Sequence, residues 1–446
     1  MKKSVLSVLA ASVAVSLTAC GAGPKQADVA SSSPSSSPSP SADPKTAAGG
    51  EKKKVEINYW YSWGDKIGEN NENLVKKFNE SQDEVVVKAH FQGTYDEQHS
   101  KAQAAFAAGN APEVWQNEIA SVGVFAKAGM TEDLTPFVKR DNVDMNDFIP
   151  GLMGNSYVDD KLYGLPYLRS TPLLYLNKTM LKEAGLDPAG PKNWTEFEEY
   201  ARKLTVKDKR VGITLPVDIW FYEAFIAQSG GKMISDDGKK AEFSAEPGIE
   251  ALKFWLKLKE EGVMKIPTTD DAGNQAKIDF QNQRSGMLFS STADLTKQML
   301  VAKESGFELG TTFMPANKSY GVPTGGANLV MSAKLPKEKQ EAAWKFIKWM
   351  TSTEQTIYAS TFTGYLPSRI SAVNSEDMKK LYAEKPLFKV AVDQLEYARP
   401  RPMLKAYPEI AKNLKDEISR AVVDSSVTAE KAIAGAGEKA DKLLNK

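Results

Sequence analysis

From Val55 onward, short apolar runs alternate with helix-length amphipathic segments, the pattern of an α/β chain. Residues 55–60 alternate as a strand, and residues 69–78 place Leu74, Val75 and Phe78 on one helical face. A second strand is predicted at 85–91, a helix at 95–108 stopped by Gly109-Asn110, and a third strand at 113–116. Further along, 175–177 reads as a strand, and Thr195-Glu196-Phe197-Glu198 reads as a capping box opening a helix to about residue 204. The clearest helix spans 246–260, with Pro247 in its first turn and Gly262 after its end. Strands are predicted at 287–290, 307–314 and 326–331, and an amphipathic helix carrying Trp344, Ile347 and Trp349 at 338–350. After about residue 375 the chain is mostly helical, and no repeat of fixed period occurs.

The first 54 residues follow a different pattern. Lys2 and Lys3 precede an apolar run, 5–17, too short to span a bilayer, which reads as a secretory signal. Leu17-Thr18-Ala19-Cys20 resembles a bacterial lipobox, a motif whose thiol is lipidated and before which the chain is cut. Residues 1–19 are thus expected as a lipoprotein signal peptide, with Cys20 as lipidated mature N-terminus. Two or more acyl chains hold a protein to a membrane stably. Residues 20–54 are rich in Ser, Pro, Ala and Gly, with little to bury, and predict a disordered tether reaching roughly 30 Å as a coil.

Composition narrows the chemistry. Lys plus Arg and Asp plus Glu both number 57 in 446 residues, so no overall field favours nucleic acid or another polyanion. With Cys20 the sole cysteine, no intrachain disulfide can form; with only His90 and His99 besides, zinc and thiol chemistry are not expected. A GxSxG elbow, a P-loop and a dinucleotide fingerprint are all missing from the sequence, so no cofactor or metal is expected. A pair of carboxylates for glycoside hydrolysis stays open on composition, because any two could meet in space. Aromatic side chains are the more informative feature. Tyr59, Trp60, Tyr61 and Trp63 crowd the end of the first strand, and Trp220-Phe221-Tyr222 follow Asp218. Such rings suit the C–H faces of a sugar or polyol.

A series of segments resembles the family 1 extracellular solute-binding proteins, receptors of bacterial ABC importers, in its sugar- and glycerol-phosphate-binding members. The similar stretches are Gly93-Thr94-Tyr95-Asp96-Glu97, Ala107-Ala108-Gly109-Asn110-Ala111-Pro112, Ser170-Thr171-Pro172 continuing to Lys178, Lys182 to Asp187, Gly325-Gly326-Ala327-Asn328, and Thr363-Gly364-Tyr365-Leu366-Pro367. The resemblance implies a two-lobed, periplasmic-binding-protein-like α/β fold of type II with the ligand cleft between lobes. Carried over, lobe 1 holds 55–168 plus 311–362 and lobe 2 holds 170–310 plus 363–446. It also implies cleft roles for Tyr95, Ser170, Tyr365, Gly325 and Gly326. Glu118 is placed at the acidic position in preference to Asn117. Trp220 falls near the stacking tryptophan, and Ser291 and Asp294 near a cleft hydroxyl. Trp63, from the aromatic crowd after the first strand, is a further candidate ligand contact. A monomeric, non-enzymatic receptor is expected, with a small solute, membrane permease subunits and the membrane itself as partners.

The ligand is left between two classes. A buried phosphate needs backbone amides and usually an arginine, and Arg399-Pro400-Arg401-Pro402 offers two. Similar Arg-Pro turns occur in sugar receptors of the resembled family. A neutral carbohydrate is the expectation, with glycerol 3-phosphate or a glycerophosphodiester as the alternative. A membrane-anchored glycoside hydrolase and a surface adhesin that displays a carbohydrate-binding head are the readings of other classes.

Overall fold

The computed structural model describes residues 54–269 and 271–445; Cys20, the expected signal and nearly all of the expected tether lie outside the described residues. Ten strands form two five-stranded sheets. They are β1 (Val55–Tyr61), β2 (Val85–Phe91), β3 (Val114–Glu118), β4 (Leu165–Ser170), β5 (Pro172–Asn177), β6 (Val211–Thr214), β7 (Met264–Lys265), β8 (Ser285–Ser291), β9 (Leu309–Thr312) and β10 (Gly325–Met331). The first sheet runs β2-β1-β3-β10-β4, and the second runs β9-β5-β8-β6-β7. In the first, β1 pairs in parallel with β2 and β3, and β10 lies antiparallel between β3 and β4.

Each sheet forms where apolar side chains leave water on both faces. Ile57, Tyr59 and Tyr61 alternate into the core under the first sheet, against Leu74 and Phe78 of helix Asp65–Ser81 and against Trp344 and Phe346 of helix Lys337–Met350. β4 and β5 are buried at every position, so they show no alternation. One face of the second sheet packs on Phe197, Phe225 and Trp255, joined by the helical pair Tyr407–Val423 and Ala429–Leu444. Its other face contributes Leu173, Tyr175 and Leu288 to a core completed by Phe280, Phe307 and Phe388.

The chain passes between the sheets at Thr171 and again between Thr312 and Gly325. Thr171 is fully buried; its carbonyl accepts from the Thr292 amide at 3.1 Å, and its hydroxyl accepts from Gln394 at 3.2 Å. The second crossing pairs with a third segment, Val322 opposite Ala398 and Pro323 opposite Arg399. Crossing segments bonded to one another act as a shared hinge on which two sheet-based lobes can rock.

Three local expectations are corrected. The cap of helix Trp194–Leu204 is Asn193, not Thr195: the Asn193 side chain accepts from the Glu196 amide at 2.9 Å, and Glu196 accepts back from the Asn193 side chain. An Asn two residues earlier starts the helix sooner and satisfies the Glu196 amide, one of the exposed first-turn donors, in place of the Glu198 amide that a Thr195 cap would serve. Tyr59 and Tyr61 are core residues, so of the aromatic crowd only Trp63 is markedly exposed, at 37 %. Trp220-Phe221-Tyr222 lie in a helix, Ile219–Gln228, capped by Asp218. That helix has nine of its ten residues buried, so no amphipathic period marks it in the sequence.

Candidate functional site

The C-terminal ends of β1 and β3, the ends of β4 and β8, and the start of β10 carry most of the residues singled out by sequence. At the end of β1, Trp63 takes φ +69° and its ring meets that of Tyr95 edge-on, centroids 5.3 Å apart. Tyr95 opens helix Tyr95–Ala107, whose capping box is formed by Thr94 and Glu97. Burial and the nearby Glu118 carboxylate push the Tyr95 hydroxyl well above its usual range, and the Trp63 and Tyr365 side chains lie within its reach. Tyr365 is almost fully buried, just after Gly364 turns the chain at φ +99°. Asp294 lies near enough to raise the Tyr365 hydroxyl further, after burial and Tyr95. The helix that follows Asp294 is tied to this turn, because the Thr296 hydroxyl donates to the Thr363 carbonyl at 2.9 Å.

The opposite side of the group is built on β4 and β10. Ser170 pairs with Gly325 and Arg169 with Gly326; the register then slips at Leu168, which takes φ +50° as the extra residue of a bulge. A Cβ at Gly326, itself at φ +88°, would stand 2.0 Å from the Leu168 carbonyl oxygen. A Cβ at Gly325 would stand 2.6 Å from the Trp220 ring and 2.8 Å from the Ser170 hydroxyl. Glycine is therefore required at both positions, at Gly326 by backbone and at Gly325 by the ring that covers it. The Trp220 indole N–H donates to the Thr324 carbonyl at 3.1 Å, which fixes its face.

Two arginines set the electrostatics. Arg169 is fully buried, with Nε donating to the Gly325 carbonyl at 2.9 Å, Nη1 to the Leu152 carbonyl and to Asn328 Oδ1 at 3.2 Å, and Nη2 to Thr324 Oγ1 at 3.0 Å. These acceptors are all neutral, and burial pulls its pKa down to about 9. Arg401 is held by carboxylates instead. Its Nη1 donates to Glu118 Oε1 at 3.0 Å, and Nε and Nη2 donate to Glu223 Oε1 at 3.1 and 2.9 Å. Burial opposes the Arg401 charge, but Glu223 and Glu118 outweigh it and hold the guanidinium above its ordinary range. Glu223 is raised by its own burial despite Arg401 and the donating Tyr407 hydroxyl. The second oxygen of Glu118 accepts from the Ala120 amide at 3.0 Å.

The remaining candidates separate. Asp294 is paired with Lys277 at 2.9 Å and accepts from Ser290. The Ser291 hydroxyl caps its own turn by accepting from the Ala293 amide at 3.1 Å. Arg399 is exposed beside the Pro323 pairing, away from the Tyr95–Trp220 group. Asn117, the neighbour set aside for Glu118, is fully buried beside His99. Sequence reasoning missed Arg169, Glu223 and Thr324. Arg169 directly precedes the Ser-Thr-Pro motif, and Glu223 follows Trp220 by three residues, one helical turn, a spacing visible only once the helix is known.

Among the described residues no cluster of three or more His, Cys, Asp or Glu side chains could hold a metal, and no helix is long and apolar enough to cross a membrane. Aromatic faces, glycine backbone, hydroxyls and an arginine whose charge is taken up by carboxylates, at a junction of two lobes, define a solute receptor, which holds a small molecule by contact. The family model for bacterial extracellular solute-binding proteins matches residues 73–389, and the chain belongs to that family. Among curated relatives, the sn-glycerol-3-phosphate-binding periplasmic protein UgpB of Salmonella paratyphi A is 28 % identical over 414 residues, covering 87 % of this chain and 92 % of that protein. Among solved structures, the GacH receptor of Streptomyces glaucescens, described unliganded and with acarbose and an acarbose homolog, aligns with TM-score 0.79 at 22 % identity over 88 % of this chain and 99 % of that one. UgpB from Mycobacterium tuberculosis, in complex with glycerophosphocholine, aligns with TM-score 0.78 at 24 % identity over the same shares. These likenesses establish the two-lobed fold.

His99 stands directly behind Tyr95, with ring centroids 6.4 Å apart, and touches Phe125 and Trp115 on its other sides. Burial lowers its pKa from 6.5 to about 4, against a weaker opposing pull from Asp96. As pH falls from 6.5 toward 4, the unfolded chain takes up a proton that the folded chain refuses, so stability is present above this window and lost within it. We predict that His99→Gln reduces the loss of unfolding free energy between pH 7 and 4.5 by about 2 kcal/mol. Urea midpoints at the two pH values measure this; an identical loss in both proteins contradicts it.

Proposed function

We propose that this chain is the extracytoplasmic substrate-binding subunit of an ABC importer, anchored through a lipidated Cys20, and that it carries a neutral carbohydrate between its lobes to permease subunits in the membrane. The protein acts as a monomeric receptor and releases its ligand unchanged. The observation that carries the neutral-ligand reading is the state of Arg401. Its guanidinium is shared by two carboxylates, the buried Glu223 and the partly buried Glu118, so with both ionised this trio leaves one net negative charge. An incoming phosphate would have to displace one carboxylate while facing the other, at a cost of several kcal/mol. Arg169 offers no alternative, because its donors already serve Gly325, Leu152, Asn328 and Thr324.

A sugar suits the same groups. Trp220 and Trp63 present apolar faces, Ser170 a hydroxyl, and Glu118 a carboxylate that accepts from hydroxyls. The structural likeness to the acarbose-binding GacH receptor supports this reading. A glycerophosphodiester is the second reading, favoured by the identity to UgpB relatives and by the presence of Arg401 in the site. It requires the Glu118 bond to open when ligand enters.

Intrinsic tryptophan fluorescence, titrated with a panel of sugars and glycerol phosphates, tests the site. A saccharide should bind, and Trp220→Ala should weaken it at least about tenfold, the equivalent of ~1.4 kcal/mol. Full affinity in the variant would remove Trp220 from the site. For the anchor, Cys20→Ser should move the protein from the membrane to the soluble fraction; retention on the membrane would contradict lipidation.

A further inference from the structure

Two residues of the turn joining β1 to helix Asp65–Ser81 take left-handed backbone without being glycine, Trp63 at φ +69° and Asp65 at φ +48°. For a side chain as bulky as tryptophan this conformation is unfavourable, and it persists only where the surroundings over-determine it. Gly64, which could adopt it freely, stands between the two at φ −90°. The turn thus spends its left-handed geometry on the residue that carries a ring.

The surroundings fix this turn from three sides. On the first, the parallel pairing of β1 with β2 runs past the strand ends: the Gln92 amide donates to the Tyr61 carbonyl and the Trp63 amide to the Gly93 carbonyl, both at 2.9 Å. On the second, Ser62 is fully buried, its amide donating to Gln116 Oε1 at 3.0 Å and its hydroxyl to Gln98 Oε1 at 2.7 Å. Gln98 and Gln116 are buried as well; Gln98 Nε2 donates to the Gln116 carbonyl, and Gln116 Nε2 donates to Asn71 Oδ1 at 3.1 Å. On the third, the Trp63 carbonyl lies 3.3 Å from where a Cβ on Gly68 would stand, and the Gly68 amide donates to the Gly64 carbonyl at 3.0 Å. Gln98 sits one helical turn after Tyr95, so its bond to Ser62 ties the turn that carries Trp63 to the helix that carries Tyr95. Relaxing the turn would leave these buried groups without partners, which costs more than the bonds themselves are worth.

We infer that Ser62, Gln98 and Gln116 are positioning residues of the cleft, which hold Trp63 in its left-handed turn so that the ring stands edge-on to Tyr95 before a ligand arrives. The inference rests on the carbohydrate reading above, which puts Trp63 against the ligand, and adds how that ring is held. A ring fixed in advance loses less freedom when it is covered.

Three measurements test it. Trp63→Gly and Trp63→Ala both remove the ring, and only glycine takes this φ freely, so the glycine variant should unfold at the higher urea concentration. The usual order, alanine above glycine, would show an unstrained turn and overturn the inference. In fluorine NMR of the protein carrying fluorotryptophan, the resonance lost in Trp63→Phe marks Trp63. Ser62→Ala, or Gln98→Met should the first variant not fold, should shift or broaden that resonance and leave those of Trp255 and Trp344, in the two cores, in place. A Trp63 resonance that does not respond overturns the inference. Calorimetric titration with maltose, cellobiose and xylobiose reads the consequence. For the disaccharide that binds, Ser62→Ala should weaken affinity about five- to tenfold in the wild-type background and less than about twofold in the Trp63→Ala background. Equal weakening in both backgrounds would show that Ser62 does not act through Trp63 and overturns the inference. If none of the three sugars binds while the urea and NMR results hold, the carbohydrate reading falls and the positioning of Trp63 stands.

Discussion

One guanidinium governs the middle of this molecule. Arg401 reaches Glu118 at the end of the first sheet and Glu223 on a helix that packs against the second, and its backbone is clasped by Asn155. A buried cation is tolerable only when its donors are filled, and removing one partner of such a set typically costs ~3–5 kcal/mol. The set therefore fixes three things together. It places the third crossing segment, it locks the first turn of the Trp220 helix against β3, and it decides what charge the site shows to a ligand. A single arginine facing open space would make an anion site; the same arginine between two carboxylates does not.

Arg169 performs the complementary task with neutral partners. Its four acceptors come from the start of β10, from Thr324 and Asn328, and from Leu152, so it knits the bulged β4–β10 pair and keeps Gly325 under the Trp220 ring. Contacts at the rim are weaker. Lys297 meets Asp65 at 3.2 Å, with the two side chains 51 % and 82 % exposed, a pair of the kind worth about 0–1 kcal/mol. A strong, shared hinge and weak rim contacts are what a ligand-driven closing motion needs, because the ligand can then tip the balance with few contacts of its own.

The fold was readable from sequence wherever one face of an element meets water. Strand β1 alternates and helix Glu246–Glu260 carries both its Pro and its Gly signals, and each lies within a residue of where the pattern places it. Legibility was poorer in some of the fully buried elements. β4 and helix Ile219–Gln228 show no period because almost nothing on them faces solvent, only the end of β5 was legible, and the Glu223 partnership was hidden with them. The motifs around Tyr95, Ser170, Gly325 and Tyr365 were singled out through family likeness, and the structure brings their residues close to one another. Pairwise chemistry, Arg401 with Glu118 and Glu223 above all, joins residues 283 and 178 positions apart, and local spacing carries no trace of such a contact.

The central claim, an uncharged ligand held beside a neutralised arginine, is tested most directly by the salt dependence of affinity for the ligand that binds. Calorimetry between roughly 0.02 and 0.5 M NaCl spans Debye lengths from about 20 Å down to about 4 Å. The account predicts a dissociation constant that stays within about twofold across that range. A steep weakening with salt would show that the bound species is an anion and would contradict it.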